Sequence, residues 1–375
     1  MDADQGALPC AVRHESGGCG EHQQRRCRAL GELAAERELD ALIVTNLVNI
    51  RYLTGFSGSF AACVLRASGE VVLLTDGRYT QQAAREAPDV SHYVVSGRLS
   101  EELAAVVGRT ARKIGFEPEA LSWAAGERLR SALGSERTQA APQWIERLRT
   151  VKDPCELDDL RQAAAIGVKA LAQTLADLAA GMTERQIAEQ LEHAMVQGGS
   201  DGLSFETIVA CGPNTAEPHH RPTERAVAMG DFVKIDFGAT VNGYHSDMTR
   251  TIVLGEPMAR QVALHAAVLA AQQAGIDQLR AGVSGGDIDA AARRVLEDAG
   301  YGEAFVHPTG HGVGLEIHEA PRIAPGDDGR IAAATPLTVE PGAYIPGFGG
   351  VRIEDLVVAW EDGCEILTPA SRDLA

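Results

Sequence analysis

No apolar run of about 18 residues occurs in the 375-residue sequence, which excludes a membrane-spanning helix. The first residues also lack the charged-then-apolar order of a secretory signal, so we expect a cytoplasmic protein. Basic residues are in the minority, and the formal net charge of −18 disfavours nucleic acid and anionic membranes as partners. The seven cysteines include no CxxC pair, so free thiols are expected.

The remaining composition is that of a soluble globular protein, with 45% hydrophobic and 23% charged residues, and the length suits two domains. We expect residues 1–24 to form a mobile tail. Cys10, His14, Cys19 and His22 resemble a zinc knuckle, but their flanks carry no hydrophobic pattern and their spacing matches no standard finger.

Helical and strand patterns alternate from residue 25 to 147, which predicts an α/β domain. The segment SFAACVLRASGEVVLLTD within it reads as a hairpin that turns near Ser68-Gly69. A second domain is predicted over residues 148–375, and its first long helix should start at Pro154 with Asp153 as the N-cap.

The second domain contains a weak internal repeat. Residues 181–199, GMTERQIAEQLEHAMVQGG, resemble residues 282–300, GVSGGDIDAAARRVLEDAG. Further on, the repeat aligns Asp236 with Glu340 and Asp247 with Glu354, because VKIDFGA resembles LTVEPGA and YHSDMTR resembles GVRIEDL. We therefore expect two similar α+β halves about a pseudo-twofold axis, with the four acids meeting where the halves join.

The first pair of acids lies on a predicted hairpin. Asn242-Gly243 is a strong signal for a two-residue hairpin turn, and such a turn pairs Asp236 with Thr249. Asp236 and Asp247 then point to the same side of the hairpin, roughly 7 Å apart at Cα. Two carboxylates on one face repel each other unless a cation lies between them.

The segment HPTGHGVGLEIHE, residues 307–319, brings three histidines close together in sequence. Pro308 and the glycines argue against a helix, so the segment reads as an extended loop. The glycines are expected to let the backbone approach a metal and a substrate closely. Four acids and His311 make a donor set that suits two divalent ions of the manganese, cobalt, iron or zinc group.

From Asn46 to Glu354 the chain resembles the Xaa-Pro peptidases, the prolidase and aminopeptidase P group of pita-bread dimetal peptidases. NIRYLTGFSGS and LLTDGRY resemble the amino-terminal, creatinase/prolidase-like α/β domain of that group. SFETIVACGPNTAEPHHRP, VKIDFGATVNGYHSDMTRT, GHGVGLEIHE, VEPGAY and VRIEDL resemble its α+β pita-bread catalytic domain with two similar halves. The resemblance implies hydrolysis of an Xaa-Pro bond in a proline-containing peptide, and a homodimer.

The resemblance also implies a metal centre. Asp236 would bind one ion, Asp247 and Glu354 would bridge two, and His311 with Glu340 would complete the second site. Two divalent ions are implied, with manganese or cobalt expected and zinc or iron as alternatives. Glu340 would also carry the proton of the reacting water.

Other residues are implied in substrate handling. His219 matches the histidine that steadies the tetrahedral intermediate, His318 one that contacts the proline side of the substrate, and His307 one near the prolyl pocket. For His220 we expect a structural role. Arg352 is expected to bind a substrate carboxylate or carbonyl, and an ion pair with a nearby acid is the alternative.

Four other functions are alternatives for this sequence. A methionine aminopeptidase would lack the amino-terminal domain, and a creatinase would lack the acid set. A catalytically inactive binding module would have lost ligands, of which all five are present. A related pita-bread hydrolase with a non-prolyl substrate, and the choice between dipeptides and longer peptides, stay open.

Overall fold

The structure is a computed structural model that describes residues 19–375. It divides into two compact units: one holds the described residues up to 142 together with 153–155, and the other holds 143–152 and 156–375. The change of unit at 142 comes a few residues before the predicted boundary at 147.

The first unit is built on one six-stranded sheet with helices between its strands. The strands are β1 (Ala41–Val44), β2 (Ala62–Arg66), β3 (Val71–Asp76), β4 (Ser91–Val95), β5 (Ile114–Phe116) and β6 (Thr138–Ala140). Their order in the sheet is β4-β3-β2-β1-β5-β6. Strands β1, β5 and β6 are parallel, as are β3 and β4, whereas β2 is antiparallel to both of its neighbours. The helices are α1 (Cys19–Glu36), α2 (Leu47–Thr54), α3 (Thr80–Glu86), α4 (Leu99–Val107) and α5 (Trp123–Leu133).

The predicted hairpin of this unit is confirmed, because β2 and β3 pair around a turn in which Gly69 has a φ of 85°. Helix α2 was not predicted. Asn46 caps it by accepting a hydrogen bond from Val48 N at 2.9 Å, and Gly55, with a φ of 81°, ends it.

Helix α1 corrects the prediction of a tail over residues 1–24, because it begins at Cys19. His22 is buried and lies on the apolar stripe that Cys27, Leu30 and Ala34 continue, so residues 19–24 belong to a packed helix. Residues 1–18, with Cys10 and His14, lie outside the described residues.

The cysteines agree in part with the expectation of free thiols. Cys27, Cys63, Cys211 and Cys364 are free, whereas Cys155 is disulfide-bonded.

Apart from the first two residues of the helix that begins at Pro154, the second unit contains five α-helices and thirteen strands. The helices are α6 (Trp144–Thr150), α7 (Pro154–Asp177), α8 (Glu184–Gln197), α9 (Ala259–Gln278) and α10 (Gly285–Asp298), of which α7 starts at the predicted residue, with Asp153 Oδ1 accepting from Cys155 N at 3.0 Å. The strands of the first half are β7 (Gly202–Leu203), β8 (Ile208–Cys211), β9 (Phe232–Phe237), β10 (Ala239–Val241), β11 (Tyr244–His245) and β12 (Met248–Val253). Those of the second half are β13 (Gly310–Gly312), β14 (Glu319–Ile323), β15 (Thr335–Val339), β16 (Gly342–Ile345), β17 (Gly349–Arg352), β18 (Asp355–Trp360) and β19 (Gly363–Ile366).

The strands and helices of this unit confirm the internal repeat. The antiparallel strands β8, β9 and β12 of the first half correspond to β13, β15 and β18 of the second. Helices α8 and α10 each have 14 residues and a hydroxyl N-cap, Thr183 or Ser284, that accepts from the backbone N–H three residues on. Ile187 and Ile288, which the repeat aligns, are both fully buried.

None of the helices within residues 19–375 combines the length and the apolar composition that a membrane span requires.

Candidate metal centre

The first acidic hairpin has the predicted register. Asn242 and Gly243 form its turn with φ values of 48° and 77°, the left-handed values that a two-residue turn of this kind requires, and Thr249 pairs with Asp236. Asp236 lies on β9 and Asp247 lies immediately before β12, and both are buried. The turn residues therefore fix which side of the hairpin the two aspartates occupy.

The same hairpin passes from one sheet to another between these acids. A Cβ at Gly238 would lie 1.8 Å from the carbonyl oxygen of Ser246 on the opposite strand. Only glycine permits this close approach, which bends the hairpin next to Asp236 and Asp247.

The second half supplies the remaining predicted ligands. Glu340 directly follows β15, Glu354 directly precedes β18, and His311 lies on β13. His311 Nε2 is 3.6 Å from Asp247 Oδ2 and 3.4 Å from Glu340 Oε1, and ligand atoms of Asp247, His311 and Glu354 all lie within 4.8 Å of one another. His311 Nδ1 lies 3.0 Å from the carbonyl of Gly312, which favours a proton on Nδ1 and leaves the Nε2 lone pair facing the acids.

The clustered acids repel one another in the absence of a cation. Burial, together with the charges of Glu354, Asp236 and Glu340, raises the pKa of Asp247 well above its usual value. Burial and the neighbouring Glu340 and Asp236 do the same to the pKa of Glu354, and burial raises the pKa of Glu340 to about 7. Carboxylates that oppose each other's ionisation, beside a neutral imidazole, fit divalent cations, whose charge would relieve the repulsion.

Arg352 makes the ion pair that was the alternative to substrate binding. Its guanidinium is buried and contacts the carboxylate of Asp236. It also donates to Tyr344 Oη at 2.9 Å, to Thr249 Oγ1 at 3.0 Å and to the carbonyl of Pro218 at 3.2 Å. These contacts tie Arg352 to the architecture of the centre, and its contact with a substrate stays a prediction.

The other two histidines of the 307–319 segment, His307 and His318, have different neighbours. The exposed His318 packs edge-on against His311, with ring centroids 4.4 Å apart. His307 Nε2 is 2.9 Å from Tyr344 Oη, and burial with the charge of Arg352 lowers the pKa of His307 to about 4. His307 is therefore neutral at neutral pH.

The glycines of this segment have a different role from the predicted approach to metal and substrate. A Cβ at Gly310 would lie 2.0 Å from the carbonyl oxygen of Thr338, and one at Gly312 would lie 2.2 Å from that of Ala320. Both glycines therefore let β13 approach a neighbouring strand closely: Gly310 approaches β15 and Gly312 approaches β14. His311 lies between the two glycines, so these contacts fix its position.

The adjacent histidines His219 and His220 differ in environment. His219 is exposed and lines the cavity that contains the metal-ligand candidates. His220 is buried, with Nε2 2.9 Å from Glu184 Oε2 and Nδ1 2.7 Å from Glu217 Oε2. The structural role expected for His220 agrees with these contacts.

The acids open into a cavity of about 1250 Å³. Its lining includes all the predicted site residues, namely His219, Asp236, Asp247, His307, His311, His318, Glu340, Arg352 and Glu354.

A buried group of charges supports the cavity wall next to His318. Glu319 accepts from Lys152 Nζ at 2.9 Å and contacts the guanidinium of Arg149, which also donates to Glu316 at 2.8 Å. Burial would raise the pKa of Glu319, but Lys152 and Arg149 lower it to about 2. The segment that carries His318 is thus fixed to the chain around α6.

The sequence did not predict a role for three residues near the centre, Tyr344, Lys234 and Glu184. Lys234 is fully buried on β9, and its Nζ donates to the carbonyls of Thr215 at 3.2 Å and Glu217 at 2.5 Å. A lysine inside the apolar strand FVKIDF was the available signal, since such a charge needs partners when it is buried.

Comparisons with known proteins agree with this architecture. Residues 158–361 match the model of metallopeptidase family M24, and residues 26–151 match that of the creatinase/prolidase N-terminal domain. The Xaa-Pro dipeptidase of Pyrococcus furiosus is 32% identical over 351 residues, which cover 94% of this chain and 99% of that protein. An uncharacterized peptidase of Bacillus subtilis is 33% identical, with 92% and 98% covered.

Solved structures are similar over the same extent. An Xaa-Pro dipeptidase from Bacillus anthracis has a TM-score of 0.89 and 35% identity, with 94% of this chain and 99% of that chain covered. An X-Pro aminopeptidase from Thermotoga maritima has a TM-score of 0.85 and 37% identity, with 90% and 98% covered. The predicted combination of a creatinase/prolidase-like domain with a pita-bread catalytic domain is therefore confirmed.

Proposed function

The chain belongs to metallopeptidase family M24, and we propose that it cleaves the bond between an amino-terminal residue and a following proline. The proposal rests chiefly on the convergence, in the lining of one cavity, of three carboxylates and an imidazole, those of Asp247, Glu340, Glu354 and His311. Relatives named Xaa-Pro dipeptidase and X-Pro aminopeptidase support the substrate class.

Two divalent ions are proposed as cofactors, with manganese or cobalt first and zinc or iron as alternatives. Asp236, Asp247, His311, Glu340 and Glu354 would hold them. Such a pair, when bound, supplies an activated water and neutralises the charge that develops on the attacked carbonyl oxygen.

The chain's own groups would carry out the rest of the reaction. Glu340 would accept the proton of the reacting water and deliver it to the departing prolyl nitrogen. His219, exposed to the cavity, would donate a hydrogen bond to the oxyanion of the tetrahedral intermediate.

Proline would be recognised by shape, because an Xaa-Pro bond has no N–H to donate and the ring fixes φ near −65°. His318 and His307 would contact the proline side of the substrate, and Arg352 is a further candidate for its carboxylate or carbonyl. The cavity of about 1250 Å³ exceeds the roughly 300–1000 Å³ of typical small-molecule sites, so peptides longer than a dipeptide also have room.

We also propose a homodimer in the cytoplasm. The molar mass in solution, measured by light scattering, tests the dimer: twice the 39.7 kDa of one chain is expected.

A substrate panel tests the proposed function. Metal-free protein supplied with Mn²⁺, Co²⁺ or Zn²⁺ should hydrolyse Xaa-Pro dipeptides, Xaa-Pro-Yaa tripeptides, or both, and leave Xaa-Ala controls much less affected. Asp247→Asn, assayed in parallel, identifies any contaminating peptidase. Absence of hydrolysis of every Xaa-Pro peptide with every metal would refute the proposal, and metal content without hydrolysis would favour a binding module.

A further inference from the structure

The carboxylate of Glu184 holds the loop that carries His219. Glu184 is the first residue of α8 and is fully buried. It lies outside the metal centre, yet its two oxygens accept hydrogen bonds from both ends of the segment 211–223. A buried carboxylate is costly unless its lone pairs are satisfied, so this arrangement fixes the surrounding chain strongly.

Each oxygen of Glu184 has its own partners. Oε1 accepts from Cys211 N at 2.7 Å and from Asn214 Nδ2 at 2.9 Å. Oε2 accepts from Thr223 N at 2.9 Å and from Thr223 Oγ1 at 2.6 Å, and it lies 2.9 Å from His220 Nε2. Glu184 therefore bonds to the first and last residues of the 211–223 loop, Cys211 and Thr223, and to His220, the neighbour of His219.

Two buried basic side chains, Lys234 and Arg352, hold the opposite side of the loop. Lys234 Nζ donates to the carbonyls of Thr215, Glu217 and Pro218, the last at 3.4 Å. Arg352 Nη1 donates to the same Pro218 carbonyl at 3.2 Å. Residues on both sides of His219 thus have fixed partners, whereas the His219 side chain itself is exposed to the cavity.

We propose that Glu184 is a positioning residue for His219: by fixing the 211–223 loop, it sets where the imidazole meets the developing oxyanion. The inference rests on the proposed function of His219. Glu184 contacts none of the predicted metal ligands, so we expect its effect on turnover to pass chiefly through His219.

The first test is a double-mutant cycle in metal-loaded protein. Glu184→Gln keeps the shape of the side chain but replaces one acceptor oxygen by a donor, so we expect kcat on an Xaa-Pro peptide to fall by about 10- to 100-fold, with KM and metal content within about twofold. In a His219→Ala background, Glu184→Gln should lower kcat by less than about a further twofold. Losses that multiply in the double variant would overturn the proposal.

Matched variants separate this effect from general destabilisation. Glu189→Gln makes the same charge change at an exposed position of α8 and should leave kcat unchanged. Thr223→Val removes one hydroxyl bond to Glu184 at an exposed site and should lower kcat, whereas Thr223→Ser should restore it. If Glu184→Gln fails to fold, this pair decides, and equal kcat in Thr223→Val and Thr223→Ser would contradict the proposal.

Hydrogen exchange followed by mass spectrometry tests the loop without any assay of activity. Amides in peptides that cover residues 211–223 should exchange faster in Glu184→Gln than in the wild type, because Cys211 N and Thr223 N lose a charged acceptor. Equal exchange would overturn the positioning role even if the enzyme is active. A wild type without Xaa-Pro activity would instead refute the proposed function, and the exchange comparison would still decide whether Glu184 fixes the loop.

Discussion

Asp247 Oδ2 and His311 Nε2 lie 3.6 Å apart, although they come from opposite halves of the internal repeat. Thr249 Oγ1 joins the same halves a second time, because it donates to Glu354 Oε2 at 2.6 Å. Each half is therefore incomplete as a ligand set, and the centre exists only where the two meet.

Replacement of Asp247 by Asn should remove bound metal together with activity. A neutral amide bridges two cations poorly. Replacement of residues that only hydrogen-bond to metal ligands already lowers metal affinity or activity by about 10–100-fold, so we expect kcat/KM of Asp247→Asn to fall by at least about 100-fold. Elemental analysis after dialysis measures the metal directly. Asp298→Asn, at an exposed position of α10, serves as the control, and full metal occupancy in Asp247→Asn would remove Asp247 from the ligand set.

Replacement of His219 by Ala should separate metal binding from turnover. His219 is exposed to the cavity and belongs to the oxyanion side of the proposed site, so we expect normal metal content and a fall in kcat of about 10²-fold or more. His193→Ala, an exposed histidine of α8, is the matched control. Normal turnover in His219→Ala would show that the role belongs to another group.

Metal affinity should increase as pH rises from 6 to 8. Burial raises the pKa of Glu340 to about 7 in the metal-free protein, and burial with neighbouring acids also raises the pKa of Asp247 and of Glu354. A cation must then displace protons, so affinity should rise by about tenfold per pH unit for each proton released. Competition with a metallochromic chelator at pH 6, 7 and 8 measures this slope, and a pH-independent affinity would contradict the prediction.

Arg352→Ala should lower kcat/KM by a similar factor for Xaa-Pro and Xaa-Pro-Yaa substrates. The guanidinium is engaged by Asp236, Tyr344, Thr249 and Pro218, so its loss disturbs the centre whatever the peptide length. Steady-state kinetics on both peptides, with exposed Arg294→Ala as control, checks this. A rise in KM of about ten- to hundredfold for the dipeptide alone would instead indicate a direct bond to the substrate carboxylate.

Glu319→Gln should lower the free energy of unfolding at pH 7 by about 3 kcal/mol, since Lys152 and Arg149 outweigh burial and lower the pKa of Glu319 from 4.5 to about 2. The folded-state pKa is depressed, so this stabilisation is complete above pH 4.5 and disappears as the pH falls towards 2. Urea denaturation of the variant and the wild type at pH 7 and at pH 3 measures the difference, with Glu361→Gln as control. A difference that does not shrink at pH 3 would assign the effect to packing.

Local signals predicted a large part of this architecture. The Asn242-Gly243 turn determined the register that pairs Asp236 with Thr249, and the repeat indicated which acids correspond between the halves. The turn depends on adjacent residues and the correspondence of the acids depends on an internal repeat, and both can be recognised in the sequence.

Features that depend on tertiary partners were not visible in this way. Glu184 reads as an ordinary first-turn acid of a helix, because its partners Cys211, His220 and Thr223 lie in a distant loop. Gly310 reads as a residue that exposes backbone to a ligand, whereas the nearby carbonyl of Thr338 is what requires glycine there.

The division of ligands between halves makes this chain a candidate for fragment complementation. A cut between Val253, where β12 ends, and Ala259, where α9 begins, would leave Asp236 and Asp247 on one piece. The other piece would carry His311, Glu340 and Glu354. Neither piece would contain all five predicted metal ligands. Tight retention of metal would therefore show that the two separately expressed polypeptides had reassembled.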